Sequence, residues 1–310
     1  MCATNNPSSD LRHQLKHTTL DDDVCRLFHG RGGLLSGFEH ITLDWYPPVL
    51  LLTAFKAIDD ELLNEMTRLL QELWSGPWQQ QGEMNLVFQQ RGLGIARVEL
   101  ISGRTPEHHI VQENGRKTVV HLMRGQNHGL FLDMRNGRDW VEQNAKDRRV
   151  LNMFSYTCAF SVAALKGGAG QVINIDMSKG ALAIGRDNHK INDLNDNYRL
   201  LGHDIFKSWG KLRKLGPYDL LIADPPSNQK GSFVASKDYP RLLRKLPELL
   251  NPGGEMLLCL NAPELSRNYL REQVATECPE MVFVRQVENP AIFADIDPDR
   301  ALKVLLYKKP

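Results

Sequence analysis

Nowhere do apolar residues run unbroken for 18 positions, the length a helix needs to cross a bilayer, so no transmembrane helix is expected. The opening stretch, Met1–Gln14, lacks a basic segment followed by an apolar one, so no secretory signal is read and a cytoplasmic protein is expected. Cysteine is scarce: Cys2, Cys25, Cys158, Cys259 and Cys278 are odd in number and form no CxxC pair, which argues against a zinc site or a disulfide framework. The ten histidines show no HExxH-like spacing. An excess of charge of either sign is missing too. Lys and Arg number 38 against 37 Asp and Glu, so nucleic-acid binding would require a locally basic face. What remains is an ordinary globular composition, 42% hydrophobic and 24% charged over 310 residues, enough for one large or two modest domains.

The chain is organised around Val150–Asp176. An apolar run, VLNMFSY, ends in a polar turn; AFSVAALKGGA follows with helical spacing; QVINID closes on an acid. That is one βαβ unit with Asp176 at the tip of its second strand, where such folds hold ribose hydroxyls. The three turn glycines that let a backbone approach a pyrophosphate are absent. NAD and FAD are disfavoured, and a pyrophosphate-free adenosine cofactor such as S-adenosylmethionine is favoured.

Strand and helix patterns alternate from here to about residue 308, which predicts a doubly wound, mostly parallel α/β sheet. Ser178 is placed to cap the helix after Asp176. Strands over 198–204 and YDLLIADPP end on Asp204 and Asp224, and a fifth spans 255–263. Pro247 is expected to kink or split the helix before it. The last two strands, MVFVRQVE and ALKVLLYKK, have no helix between them, which predicts an antiparallel edge strand. After Asp224, Pro225 and Pro226 stiffen the loop and remove backbone donors, so that carbonyls and the carboxylate face a substrate.

Residues 1–24 are polar and read as a loose arm. A small α+β domain is expected over 25–115, with strands at ITLDWY, VLLLTAF, NLVFQQR and Ala96–Ile101 and a helix capped by Asp59–Asp60. The catalytic domain is placed at 116–310, opening with a hairpin over 116–138 that turns through Gln126–Gly129, followed by a helix over 139–147. The basic loop His29–Gly33, with Arg26 and Arg31, is either a phosphate-contacting loop or a plain turn.

Asn152–Phe160 resembles the motif N-x-F-S-Y-T-G-x-F of S-adenosylmethionine-dependent methyltransferases that modify bases of large-subunit ribosomal RNA, with Cys158 in place of glycine. GQNHGLFLDMRNGR resembles that family's G-x-x-x-G-F-F-L-D-Q-R-x-x-R, with Met134 in place of glutamine. The likeness spans about 25–308 and implies a seven-stranded class I methyltransferase sheet behind a small α+β domain. It implies that Asp133, Arg135 and Arg138 lie at the methionine end of the cofactor, where arginine pairs with a carboxylate. It further implies cofactor contacts at Asn152, Phe154, Ser155, Tyr156, Thr157, Asp176, Met177, Asp204, Ile205 and Asp224, and a catalytic loop of Asp224, Pro225 and Pro226. RNA is the implied partner, large-subunit ribosomal RNA above all. Cytosine-C5 members carry a cysteine just past the fifth strand, where this chain has Asn261; Asn261 is taken as catalytic, with transfer to a ring nitrogen, a purine before a pyrimidine. Other readings stay open: a non-catalytic RNA- or cofactor-binding paralogue, and a protein or small-molecule methyltransferase. The oligomeric state is open.

Overall fold

The computed structural model describes residues 7–92, 97–229 and 233–310. The chain forms two compact units: Met1–Leu132 with Ala291–Ile296, and Asp133–Pro290 with Asp297–Pro310.

The first unit contains α1 (Pro7–Lys16), β1 (Cys25–His29), β2 (Ile41–Tyr46), β3 (Val49–Ala54), α2 (Asp60–Trp74), β4 (Asn85–Gln90) and β5 (Arg97–Ser102), then β6 (Ile110–Glu113) and β7 (Arg116–Val119). Its sheet runs in the order β1-β2-β3-β4-β5. β3 and β4 are parallel because α2 carries the chain across; the other pairs are antiparallel. Leu63, Met66, Leu70 and Leu73 give α2 one apolar face, and Asp59 caps it by accepting from Leu62 N at 2.8 Å.

Two expectations need correction here. The arm expected to be loose is helical from Pro7, because Leu11 and Leu15, one turn apart, bury fully in the core that α2 fills. Trp78 and Trp45 hold the following residues by donating to Thr18 O and Asp21 O, both at 2.8 Å. The hairpin expected over 116–138 does not form. β7 pairs back with β6 through Asn114-Gly115, whose φ values of 48° and 75° suit the tight turn that an Asn-Gly pair favours. The segment GLFLDMR instead leads into a short 3-10 turn and a helix, so the boundary between units falls after Leu132 and not at 116. Ala96, the first residue of one predicted strand, lies outside the described residues, as do Lys230–Ser232 of the loop past Pro226.

The second unit contains α3 (Arg135–Asn144), β8 (Arg149–Met153), α4 (Ala159–Lys166), β9 (Gln171–Asp176), α5 (Lys179–Ile191), β10 (Tyr198–Gly202), α6 (Trp209–Leu215), β11 (Tyr218–Ala223), the short pair β12 (Asn228–Gln229) and β13 (Phe233–Val234), α7 (Ala235–Leu243), β14 (Leu250–Leu260), α8 (Arg267–Glu277), β15 (Val282–Gln286) and β16 (Lys303–Lys308). Seven strands order as β10-β9-β8-β11-β14-β16-β15, and apolar clusters cover both faces. β16 is the antiparallel strand, but it is not at the edge: it inserts between β14 and β15. Burial explains the order, since β16 is buried along Lys303–Tyr307 whereas β15 is exposed for most of its length. Pro247 splits the predicted helix, leaving α7 and a separate 3-10 turn at Pro247–Leu249.

A candidate cofactor site at the sheet rim

The register aligns the C-terminal tips of four strands. Met153 lies opposite Ile175 and Ala223, and Ala223 opposite Leu258. The next residues therefore form a row: Asp176, Phe154, Asp224 and Cys259. With about 4.8 Å between strands, Asp176 and Asp224 stand roughly 10 Å apart, on the rim where open α/β sheets bind ligands.

The loop after β8 folds onto Asp176. Tyr156 N donates to Asp176 Oδ2 at 2.8 Å, Ser178 N donates to Oδ1 at 2.7 Å, and Ser155 N reaches Ile175 O at 3.2 Å. Phe154, Tyr156 and Cys158 have φ of 56°, 47° and 64°. The last value explains why the resembled motif has glycine there, since a Cβ is strained in this region. Cys158 is fully buried, and burial pushes its thiol up to about 12; the Ser155 hydroxyl lies near enough to offset part of this without hydrogen-bonding geometry. Ser155 Oγ itself is buried without a hydrogen-bond partner. Thr157 is buried, and its carbonyl accepts from Asn188 Nδ2 at 2.8 Å.

Asn152 is buried, and its Nδ2 donates to Asn174 Oδ1 at 2.9 Å. Asn174 Nδ2 donates to Ser161 Oγ at 2.9 Å, and Ser161 Oγ meets His189 Nε2 at 2.8 Å. Asp204 stands two residues beyond the end of β10, where it caps a turn by accepting from Phe206 N at 2.9 Å. Ile205 is core, and Met177 is half exposed beside Asp176.

Asp224 is partly exposed, and its carboxyl is pushed up to about 7, first by burial and then by the charge of Asp133; Arg138 pulls it back. The charges of Asp133 and Arg138 thus both act on Asp224. Asp133 lies in the 3-10 turn Leu132–Met134, and Arg135 and Arg138 lie in α3, Arg138 buried. Met134, where the resembled motif has glutamine, packs in the apolar cluster with Trp140 and Phe160. Pro225 is buried and Pro226 half-buried. Ser227 Oγ donates to Asn261 O, and Tyr239 Oη to Cys259 O, tying the loop after β11 to the end of β14. Asn261 is exposed. Cys259 is fully buried, and burial drives its thiol well above the usual range. Residue pattern does not single out Tyr239 or Asn188; Gly185 alone carries a signal, as a weak residue inside a helical pattern.

The basic loop resolves differently. Arg26 and His29 belong to β1, and Gly30–Gly32 form one 3-10 turn in which a Cβ on Gly30 would sit 1.9 Å from Phe38 O. That glycine is required by packing. Arg26 pairs with the buried Asp44 and meets His29 Nδ1 at 2.6 Å, while Arg31 lies 4.3 Å from the Phe55 ring centre. Burial, then the two arginines, lower His29 to about 3.

Among the described residues no cluster of His, Cys, Asp and Glu could hold a metal, and no helix is long and apolar enough to cross a membrane. A doubly wound sheet with an antiparallel penultimate strand and acids along its carboxyl rim defines a nucleoside-cofactor enzyme of the methyltransferase type. The chain belongs to the S-adenosylmethionine-dependent methyltransferase family, whose model matches residues 25–308. It is 33% identical over 237 residues to ribosomal RNA large subunit methyltransferase I of Aeromonas salmonicida, covering 71% of this chain and 57% of that one. Against the protein of the same name from Tolumonas auensis it is 33% identical over 272 residues, covering 85% and 67%. The chain thus spans about 57–67% of the length of these curated relatives. A crystal structure of a methyltransferase complexed with S-adenosylhomocysteine superposes with a TM-score of 0.83 at 27% identity, covering 97% of this chain and 79% of that one. A Streptococcus mutans protein described as an S-adenosylmethionine-dependent methyltransferase gives 0.85 at 25%, covering 99% and 83%.

Proposed function

We propose that the chain transfers a methyl group from S-adenosylmethionine to a ring nitrogen of an RNA base, a purine in large-subunit ribosomal RNA, in the cytoplasm. The rRNA relatives support the substrate class. The residues fit the cofactor: Asp133, Asp176 and Asp224 offer carboxylates to a ligand carrying sulfonium and ammonium charges, and Ser155 Oγ is a buried polar atom still lacking a partner. Bound S-adenosylmethionine supplies an electrophilic methyl carbon. Asp176 orients the ribose end, each hydrogen bond to its charged acceptor contributing roughly 1.5–3 kcal/mol. Phe154–Thr157 wall the site, and Met177 borders it. Asp204 and Ile205 bound the adenine side, the former through its capped turn. Arg138 and Arg135 stand toward the methionine carboxylate.

On the acceptor side, Asp224 can take the proton that an N–H nitrogen releases, because a group near 7 is poised for transfer at neutral pH. Pro225 and Pro226 hold that loop rigid, and Asn261 can both donate to and accept from a base edge. Carbon methylation of a pyrimidine requires a thiolate that adds to the ring. The observation that carries the nitrogen assignment is the absence of such a thiol among the described residues of the loop: Asn261 is exposed, Ser227 is half-buried, and the neighbouring Cys259 is sealed in the core. Incubation of large-subunit ribosomal RNA with tritiated S-adenosylmethionine, then nucleoside mass spectrometry, should yield an N-methylpurine that Asn261→Ala largely abolishes. A 5-methylpyrimidine product, or a covalent adduct with 5-fluoropyrimidine RNA, contradicts the assignment.

A further inference from the structure

Cys158 places a side chain where the resembled motif has none, and the structure shows how it is accommodated. Its backbone is left-handed, with φ 64° and ψ 26°, at the residue that starts α4. A Cβ built on Gly185, in the middle of α5, would lie 2.6 Å from Cys158 Sγ, 3.1 Å from its Cβ and 3.4 Å from Thr157 C. The sulfur therefore rests on bare helix backbone, with the loop main chain close behind it. One turn further along the same face, Asn188 is fully buried and donates to Thr157 O at 2.8 Å. Beside it His189 is also fully buried, joined to Gly185 O at 2.6 Å, to Ser161 at 2.8 Å, and stacked on Tyr198 with centroids 3.8 Å apart. Positions 185, 188 and 189 share one helix face. α5 thus meets the loop at Cys158 through Gly185 and at Thr157 through Asn188.

We propose that the Gly185–Asn188–His189 face of α5 is the seat that sets the conformation of the cofactor loop, with Gly185 a positioning residue whose missing side chain admits the Cys158 sulfur. The inference rests on the reading that Phe154–Thr157 bind S-adenosylmethionine. A Cβ on residue 185 would stand 2.6 Å from Cys158 Sγ, so the sulfur and the loop that carries it must shift, drawing the Tyr156 amide away from Asp176. Cysteine at 158 and glycine at 185 form a compensating pair, so cofactor binding survives the loss of the motif glycine.

Isothermal titration of S-adenosylmethionine into the full chain tests this with Gly185→Ala, Cys158→Gly and the double variant. Alanine is the better helix former at an interior position, so a purely helical role for Gly185 predicts a higher Tm and unchanged affinity. The seat predicts that Gly185→Ala weakens binding at least tenfold and that adding Cys158→Gly restores it to within about threefold, since the clash partner is gone. Should Gly185→Ala fail to fold, the double variant must fold and bind; if it does neither, the pairing is overturned. Asn188→Ala, which leaves Thr157 O without its donor, should weaken binding several-fold at unchanged helix content. Asp176→Ala separates the two levels. If it and the wild type bind alike, the cofactor reading fails and takes the inference with it. If Asp176→Ala binds weakly while Gly185→Ala binds like the wild type, the seat alone is refuted.

Discussion

Asp224 brings three facts onto one atom: it follows β11, it stiffens into two prolines, and burial beside Asp133 raises its carboxyl to about 7. Two pH dependences follow, of opposite sense. A carboxyl raised in the folded state binds its proton more tightly there than in the unfolded chain, so its contribution to stability is complete below the unfolded value near 3.8 and is lost as pH rises through about 7. With Asp224 taking the proton as proposed, turnover should climb across the same interval to a plateau above it. Asp224→Asn should flatten that part of the stability profile and remove the rising limb of the rate profile. Denaturant midpoints and initial rates from pH 5 to 8.5 measure both. A rate limb that persists in Asp224→Asn assigns the titration to another group.

Elements that announce themselves by local chemistry were legible. The βαβ unit, Asp176 and Asp224 at the tips of β9 and β11, and the caps Asp59 and Ser178 stand where residue pattern put them, because period, cap and turn are short-range properties, whereas Asp204 falls two residues past β10 and caps a turn. Asn114-Gly115 carries its turn signal in the sequence too, and it, not Gln126–Gly129, closes the hairpin. Strand order was not legible: which of two adjacent strands takes the inner place depends on cover from other elements. β16 takes it although it begins with a lysine. Lys303 is fully buried, and Nζ donates to Ala262 O and Leu265 O at 2.8 Å and to Asp299 O at 2.7 Å. Two of those carbonyls belong to the segment just after Asn261. Lys303→Met keeps the stem but removes the ammonium donor from all three carbonyls, of which Ala262 O keeps the Leu265 amide, and should lower stability by about 2–4 kcal/mol. With Asn261 on the acceptor side as proposed, turnover should fall more than S-adenosylmethionine affinity. Urea titration together with separate kcat and binding measurements would detect equal losses in both, which would make Lys303 a fold residue only.

At the scale of the whole chain, the division into units shows where local reading ends. The family match covers 25–308 as one run, yet Ala291–Ile296 belongs with the residues before 133. No periodicity reveals that, because six residues carry too little pattern and their partners lie some 260 positions earlier. Contacts give the reason. Ile296 N donates to Gly32 O at 2.8 Å, Phe293 is buried with its ring 5.2 Å from that of His29, and the Arg26 guanidinium lies 4.8 Å from the Phe293 ring centre. Arg26 is also the partner of the buried Asp44, whose carboxyl burial already pushes upward. Phe293 thus packs against the arginine of the ion pair that joins β1 to β2. Phe293→Ala removes a large buried side chain, which in a core costs about 3–5 kcal/mol; from a short segment that can partly resettle, about 2–4 kcal/mol is expected. The loss should be confined to one unit. Hydrogen exchange should quicken at the amides of β1 and β2 while β8, β9 and β11 keep their protection and S-adenosylmethionine affinity stays within twofold. Uniform loss of protection across both units would mean that they unfold as one, and the late segment would then be a seam of the whole molecule and not a part of the first unit.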